Sequence, residues 1–363
     1  ARGHRLTLVT DARGARFAGW FENIDQYVIP AGRFAGAGKV ERVKALGQIV
    51  AGIWRSWRLL RKLRPVAVVG FGGYPSLPVM AAAWLAGVPS CLHEQNAVLG
   101  RVNRFVLRWA DALALSFRET RGAERVRRVR LSVTGNPVRR DVSRLFDQPF
   151  NEPEQDGVVR LLVLGGSQGA QILSDVVPGA LSVLSRRLRQ RIQVIQQCRR
   201  EDIDRVFSIY RDMGVDAELA TFLEDIPARL EAAHFVVARA GASTVCEIAA
   251  AGLPSVLVPL PGATDDHQTA NARELERAGA AWLMQQQDFT AGELAKRIRI
   301  LLTKPHVLVD AARQAREVAK PRAAEALADL VEWLARVRHR NGLRERTSGE
   351  DSAGMTKLRR VER

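Results

Sequence analysis

Three strand ends in this chain carry residues able to hold an anion. The most informative is Arg239-Ala240-Gly241-Ala242-Ser243-Thr244-Val245-Cys246-Glu247, which follows the apolar run Phe235-Val236-Val237-Ala238 and leads into a helix ending near Gly252-Leu253-Pro254. A helix that begins just beyond a strand aims its unpaired N–H groups, and the positive end of its dipole, at whatever lies above the sheet. Glu247, one turn in, can accept hydrogen bonds from the vicinal hydroxyls of a ribose. Diphosphate and ribose together spell a nucleotide. A capping box from Thr244 to Glu247 would use the same residue types merely to satisfy local backbone donors.

Two further loops share this context. Leu161-Leu162-Val163-Leu164 leads into Gly165-Gly166-Ser167-Gln168-Gly169-Ala170, and Ala67-Val68-Val69 leads into Gly70-Phe71-Gly72-Gly73-Tyr74-Pro75-Ser76. Ligands of open parallel sheets bind beyond the carboxyl ends of the strands, so one glycine loop in each half suggests a ligand gripped between the halves. Gly165–Gly169 also matches the G-x-S-x-G nucleophile elbow, with Ser167 as nucleophile and Asp225 or Asp266 with His306 as partners. That hydrolase reading lacks an HGGG-type oxyanion segment and leaves the first loop unexplained. Asp202-Ile203-Asp204 is a D-x-D match in a polar helical stretch, where residues two apart point in different directions, so no metal centre is expected.

The elements that position these loops follow from periodicity. Strand-like runs at Leu6–Val9, Val66–Val69, Ser90–Leu92, Leu113–Ser116, Ser132–Thr134, Arg160–Leu164, Gln193–Gln197, Phe235–Ala238 and Ser255–Val258 alternate with helical ones, predicting parallel sheets with crossover helices. A length of 363 residues is enough for two domains, each with its own core. Composition shifts to a proline-containing, aperiodic stretch between Val142 and Gly157, the signature of a linker. The expected division is 1–142, a linker at 143–157, a second domain at 158–335, and a basic tail at 336–363 without apolar periodicity.

Cys91, Cys198 and Cys246 lie far apart, with neither metal-ligand spacing nor an even count, which fits a reducing cytoplasm. The apolar stretch Pro78 to Leu92 is broken by Gly87 and Pro89 and falls short of the about 20 residues a bilayer span needs. A net charge of +16 calls for a polyanionic neighbour or reflects background composition. Nucleic acid is disfavoured, since no aromatic-rich binding module or helix-turn-helix signature accompanies the charge. Between Lys39 and Leu63, Val43, Leu46, Val50, Ile53, Trp54 and Trp57 recur at helical spacing among Arg42, Lys44, Arg55, Arg58, Arg61 and Lys62. This pattern suits either a helix lying on anionic lipid or a crossover helix packed on its sheet.

The motifs Gly70–Pro75, His93-Glu94-Gln95-Asn96, Gly135-Asn136-Pro137-Val138-Arg139, Gly165–Ala170, Arg239–Pro254 and His267-Gln268 through Asn271-Ala272 occur in an order that resembles the MurG family over nearly all of residues 5–330. The family's members are GT-B glycosyltransferases built from two Rossmann-like domains. The resemblance implies transfer of N-acetylglucosamine from UDP-GlcNAc, with inversion and without a cofactor or metal, to undecaprenyl-diphospho-N-acetylmuramoyl-pentapeptide at the cytoplasmic face of the inner membrane. It also implies partners in cell-wall synthesis. Another lipid acceptor, or a UDP-sugar-binding module without turnover, are the alternatives.

Carried over by position, the resemblance implies that Ser167 and the helix start Ala242-Ser243-Thr244 hold the diphosphate, with Phe222 against it. Glu247 takes the ribose, Leu223 and Arg139 the uracil, and Gln268 and Asn96 the sugar. For Asn96 a helix N-cap over Ala97 is the structural alternative, and for Phe222 and Leu223 core packing. Gly72, Gly73 and Tyr74 form the acceptor-side loop, and Trp54 and Trp84 fall on the membrane-facing patch. The family's first strand, with a glycine-rich loop carrying a histidine that is the favoured place for the general base, has no counterpart before Ala1-Arg2-Gly3-His4-Arg5. Glu94 is then the remaining acid–base or positioning candidate near the acceptor, with a structural hydrogen bond as the alternative. A doubly wound sheet without that strand should show a gap with unpaired edges.

Overall fold

The computed structural model describes residues 2–15, 19, 24–32, 39–127, 129–154, 156–166 and 169–337. Ser167, Gln168 and the segment from residue 338 onward lie outside the described residues, and with them the diphosphate contact expected of Ser167 and the body of the basic tail.

The N-terminal half runs β1 (Thr7–Thr10), β2 (Asp25–Val28), α1 (Lys39–Leu63), β3 (Val68–Gly70), α2 (Ser76–Leu85), β4 (Ser90–Glu94), α3 (Arg101–Val106), β5 (Ala112–Leu115), β6 (Arg130–Val133) and α4 (Arg140–Arg144). Its strands are parallel but fall into two groups: β1 pairs with β2, and β3-β4-β5-β6 form a second sheet. No strand among the described residues joins β1 to β3, so each has one ladder partner.

The C-terminal half runs β7 (Val159–Leu164), α5 (Gln171–Val183), α6 (Arg186–Arg189), β8 (Ile192–Gln197), α7 (Ile203–Asp212), β9 (Asp216–Ala220), α8 (Ile226–Ala232), β10 (Phe235–Ala238), α9 (Ala242–Ala251), β11 (Ser255–Leu257), α10 (His267–Arg277), β12 (Ala281–Leu283), α11 (Ala291–Thr303) and α12 (Pro305–Val318). Its six strands form one parallel sheet in the order β12-β11-β10-β7-β8-β9. Successive side chains of a strand point to opposite faces, and both faces here are covered. Val159, Leu161 and Val163 pack with α5, α7 and α11, whereas Leu162 and Leu164 pack with α9 and α10. The chain reverses direction in strand order at β7 and β10, which sets the ends of both strands on one crevice.

A final helix over 323–337 leaves this half. Leu327, Leu330 and Leu334 pack on Cys91, Ala112 and Ala114, covering the face of the N-terminal sheet opposite α2 and α3. The Arg130 guanidinium lies over the Trp333 ring, 4.1 Å from its centroid. The last helix of the chain's second half thus packs on the N-terminal sheet, because its leucine stripe finds an apolar surface there. The short, three- to five-residue strands β2, β9 and β12 are additions to the elements expected from periodicity.

Candidate functional site at the cleft

The helix α9 starts at Ala242 with Gly241 as its N-cap, and no side chain caps it. Thr244 and Glu247 thus sit inside the helix and form no capping box. The first N–H groups, at Ala242, Ser243 and Thr244, have no intrahelical acceptor by position, and Ser243 is exposed. The helix closes on Gly252 at φ 66°, where an added Cβ would run into Arg316. Arg239, just after β10, braces the approach to the helix by donating to the Val258 and Pro259 carbonyls at 3.2 and 2.9 Å and to Gln286 Oε1 at 2.7 Å.

Glu247 lies one turn along, its side chain 15% exposed, with Oε1 3.4 Å from the Arg139 guanidinium. Burial pushes its carboxyl above the usual glutamate range, and Arg139 draws it part of the way back. Arg139 comes from the segment between β6 and α4, so this pair already joins the two halves. The glycine loop after β7 is tight: a Cβ on Gly165 would sit 2.6 Å from the Ala170 amide nitrogen. Phe222, in the turn after β9, is 59% exposed, whereas the Leu223 side chain is buried with α9. The Leu223 side chain thus takes part in core packing, the alternative weighed for it above.

Gln268, in the first turn of α10, accepts the Leu260 N–H on Oε1 at 2.9 Å, which turns its amide nitrogen the other way. Opposite it stands the 94–100 loop of the N-terminal half. The Asn96 Oδ1 accepts from Asn271 Nδ2 at 3.2 Å, and Asn271 Oδ1 accepts from the Ala97 amide at 2.8 Å. Asn96 caps no helix, because α3 starts only at Arg101 with Gly100 as its N-cap.

Glu94 is buried, and each carboxylate oxygen is occupied twice. Oε1 accepts from the Asn96 backbone at 3.0 Å and from Asn96 Nδ2 at 3.4 Å; Oε2 accepts from the Gly100 amide and Asn103 Nδ2, both at 2.8 Å. A carboxylate so satisfied holds a loop together and has no lone pair to spare for proton transfer, which corrects its candidacy as acid or base. The glycine loop after β3 runs through Gly72 and Gly73 at φ 78° and 73°, a region favouring glycine, and Ser76 Oγ donates to the Gly72 carbonyl at 2.6 Å. Tyr74 is half-buried beside it.

The structure divides α1 into two stripes. Ala45, Ile49, Gly52, Ser56 and Leu60 face inward, while Val43, Leu46, Val50 and Trp54 point out and are all more than half exposed. Ile53 and Trp57 turn toward the α2 contact. Trp84 is also exposed and stacks on Trp109 at 5.8 Å, and Arg58 lies over Trp54 at 4.9 Å. No helix among the described residues is long and apolar enough to cross a membrane.

Away from the cleft, Asp202 is buried between Arg199 and Arg205, which hold its carboxyl below the usual range, and Asp225 pairs with Arg229 at 3.0 Å. Asp202 of the D-x-D match, and Asp225, one of the two acids considered for a hydrolase, are thus engaged in ion pairs. Missed in the sequence were the roles of Arg239 and Asn271; the available signal was a polar side chain in an otherwise apolar stretch and an amide three residues beyond Gln268.

Residues 1–115 match the glycosyltransferase family 28 N-terminal domain, and residues 160–328 match the family 28 C-terminal domain. The chain is 49% identical to the UDP-N-acetylglucosamine–N-acetylmuramyl-(pentapeptide) pyrophosphoryl-undecaprenol N-acetylglucosamine transferase of Paramagnetospirillum magneticum, over 92% of this chain and 90% of that one. It is 46% identical to the protein of the same name from Zymomonas mobilis, over 91% and 85%. The crystal structure of Acinetobacter baumannii MurG superposes with a TM-score of 0.73 at 30% identity, covering 91% of both chains.

Proposed function

This chain belongs to glycosyltransferase family 28, and on that premise we propose that it transfers N-acetylglucosamine from UDP-N-acetylglucosamine to N-acetylmuramyl-(pentapeptide) pyrophosphoryl-undecaprenol. The observation that carries the reading is the uncapped start of α9, standing one turn from the buried carboxylate of Glu247 in a cleft closed by the other half. The diphosphate rests on the N–H groups of Ala242, Ser243 and Thr244, with Ser167 and Phe222 beside it. Glu247 accepts the ribose hydroxyls, Arg139 and the Leu223 backbone meet the uracil, and Gln268 and Asn96 reach the sugar.

As the sugar–phosphate bond breaks, negative charge grows on the departing UDP. Fixed N–H donors at a helix start stabilise that charge without reorganising, and loss of one such donor costs about 3 kcal/mol. The acceptor hydroxyl attacks from the opposite face and inverts the anomeric carbon as the bond to UDP breaks, its proton passing to solvent. Gly72, Gly73 and Tyr74 flank the acceptor's approach.

The acceptor's lipid chain puts the enzyme at the cytoplasmic face of the inner membrane as a peripheral protein. Supporting this is the outward apolar stripe of α1, with Trp54, the exposed Trp84 and the fringe Lys44, Arg55, Arg58, Arg61 and Lys62, a pattern suited to anionic lipid. By function the halves divide at the 143–157 linker, residues 1–142 serving acceptor and membrane and 158–335 the donor.

Incubation of the purified chain with labelled UDP-GlcNAc and the lipid-linked muramyl-pentapeptide should yield a labelled disaccharide lipid. Transfer to a different lipid acceptor in preference would change the acceptor assigned, and failure to bind UDP-GlcNAc at millimolar concentration would overturn the reading.

A further inference from the structure

Asn271 is not among the residues proposed to touch the nucleotide sugar, yet its carboxamide is fully buried at the meeting of the two halves. Its Oδ1 accepts from the Ala97 amide at 2.8 Å, and its Nδ2 donates to the Ala240 carbonyl at 3.1 Å and to Asn96 Oδ1 at 3.2 Å. A backbone N–H can only donate and a backbone carbonyl can only accept, so Ala97 and Ala240, one in each half, permit a single orientation of this amide. Ala240 immediately precedes Gly241, the N-cap of α9. Asn271 therefore ties the anion-holding helix start to the 94–100 loop.

The constraint passes on. Because Asn271 presents a donor, Asn96 must turn Oδ1 toward it, and its Nδ2 then faces Glu94 Oε1 at 3.4 Å. Glu94 is itself locked by Gly100 and Asn103. An amide nitrogen carries two hydrogens, so one N–H of Asn96 is left to point elsewhere. Both ends of α10 are held to the N-terminal half as well: Asp265 pairs with Arg101 at 3.0 Å and accepts from Arg121 on its carbonyl, and Arg277 pairs with Glu119. Exposed ion pairs of this kind contribute little individually, whereas a buried amide with three partners is costly to misalign.

We propose that Asn271 is a positioning residue for donor-sugar recognition: it docks α10 on the 94–100 loop and fixes the Asn96 amide so that an N–H, not a carbonyl, meets an oxygen of the transferred sugar. This rests on the nucleotide-sugar reading above. It predicts that Asn271 acts on the sugar and not on the nucleotide, which α9 and Glu247 hold without help from the other loop.

The test is calorimetry of UDP and UDP-GlcNAc with the wild-type chain, Asn271→Ala, Asn96→Ala and the double variant. The Kd for UDP should stay within about twofold throughout, while the ratio of the UDP-GlcNAc and UDP constants shifts against the sugar by about tenfold, or 1.4 kcal/mol, in Asn271→Ala. Asn96→Ala should give a similar shift, and the double variant no more than either. Equal loss of both ligands, or losses that add in the double variant, would overturn the assignment. If Asn271→Ala does not fold, Asn271→Asp decides on the same ratio, since it keeps the volume and the Ala97 acceptor but sets oxygen against the Ala240 carbonyl. A wild-type chain that binds neither ligand refutes the nucleotide-sugar reading; one that binds both with an unchanged ratio in the variants refutes only the role of Asn271.

Discussion

Replacement of Glu247 by glutamine probes the nucleotide site most directly. The wild-type carboxylate is mostly withdrawn from water, with one exposed arginine as its ion-pair partner. Two ribose hydroxyls donating to a carboxylate make charge-assisted bonds worth about 1.5–3 kcal/mol each, against about 0.5–1.5 for neutral ones. Glutamine keeps the shape and one acceptor, so the loss is the difference over two bonds, about 2–3 kcal/mol, or roughly 30- to 150-fold in Kd for UDP. Calorimetry with UDP and with 2′,3′-dideoxy-UDP separates this from general damage: the variant should weaken the first and leave the second unchanged. The pH dependence adds an independent check. Burial raises the Glu247 carboxyl, so the free protein keeps its proton at pH values where an ordinary glutamate has lost it. Hydroxyl donors favour the ionised form, so UDP affinity should fall as pH drops through that raised value, with proton release on binding, and Glu247→Gln should abolish the dependence. UDP binding by Glu247→Gln within twofold of wild type would refute the assignment of the ribose to this carboxylate.

Other outcomes follow from the same structure. Gly165→Ala forces a Cβ to within 2.6 Å of a backbone nitrogen, so the loop after β7 must open; UDP affinity should fall at least tenfold, checked by calorimetry beside a melting curve. His234 is buried with Nδ1 accepting the Arg160 amide at 2.9 Å, and burial pushes its pKa down to about 4. Unfolding restores a value near 6.5, so the unfolded chain binds more protons between these limits; stability is whole above pH 6.5 and should fall by on the order of 3 kcal/mol as pH drops toward 4. Urea midpoints across that range should lose this slope in His234→Gln. Trp54→Ser with Trp84→Ser should reduce pelleting with anionic vesicles: burying roughly 100 Å² of each ring at about 25 cal/mol/Å² gives about 2.5 kcal/mol per tryptophan, and unchanged pelleting would remove the patch.

Much of the catalytic architecture is legible in the chain because its signals are local. Phe235–Ala238 is a strand by its apolar run, and Gly241 starts α9 and Gly252 ends it through geometry set within a few residues. The glycine turns after β3 and β7 are read the same way. Periodicity also reports that Lys39–Leu63 is a helix, but a helix with two apolar stripes does not say which one is buried. That choice was made by tertiary neighbours: Gly32 comes up tight against Ala45, Pro30 and the α2 residue Pro78 close on Gly52, and Val43, Leu46, Val50 and Trp54 are left outside.

The roles of polar side chains were decided elsewhere in the chain. Glu94 looked available for proton transfer until its oxygens were seen to be filled by Asn96, Gly100 and Asn103. Asn271 meets partners 174 and 175 residues away, and Leu327 crosses back to β4 and β5, more than 200 residues earlier in the chain. Backbone conformation depends on neighbours in sequence, so the strands, turns and the helix start could be foreseen. Whether a buried amide or carboxylate is free to act depends on which donors and acceptors surround it in space, and only the folded chain brings those together.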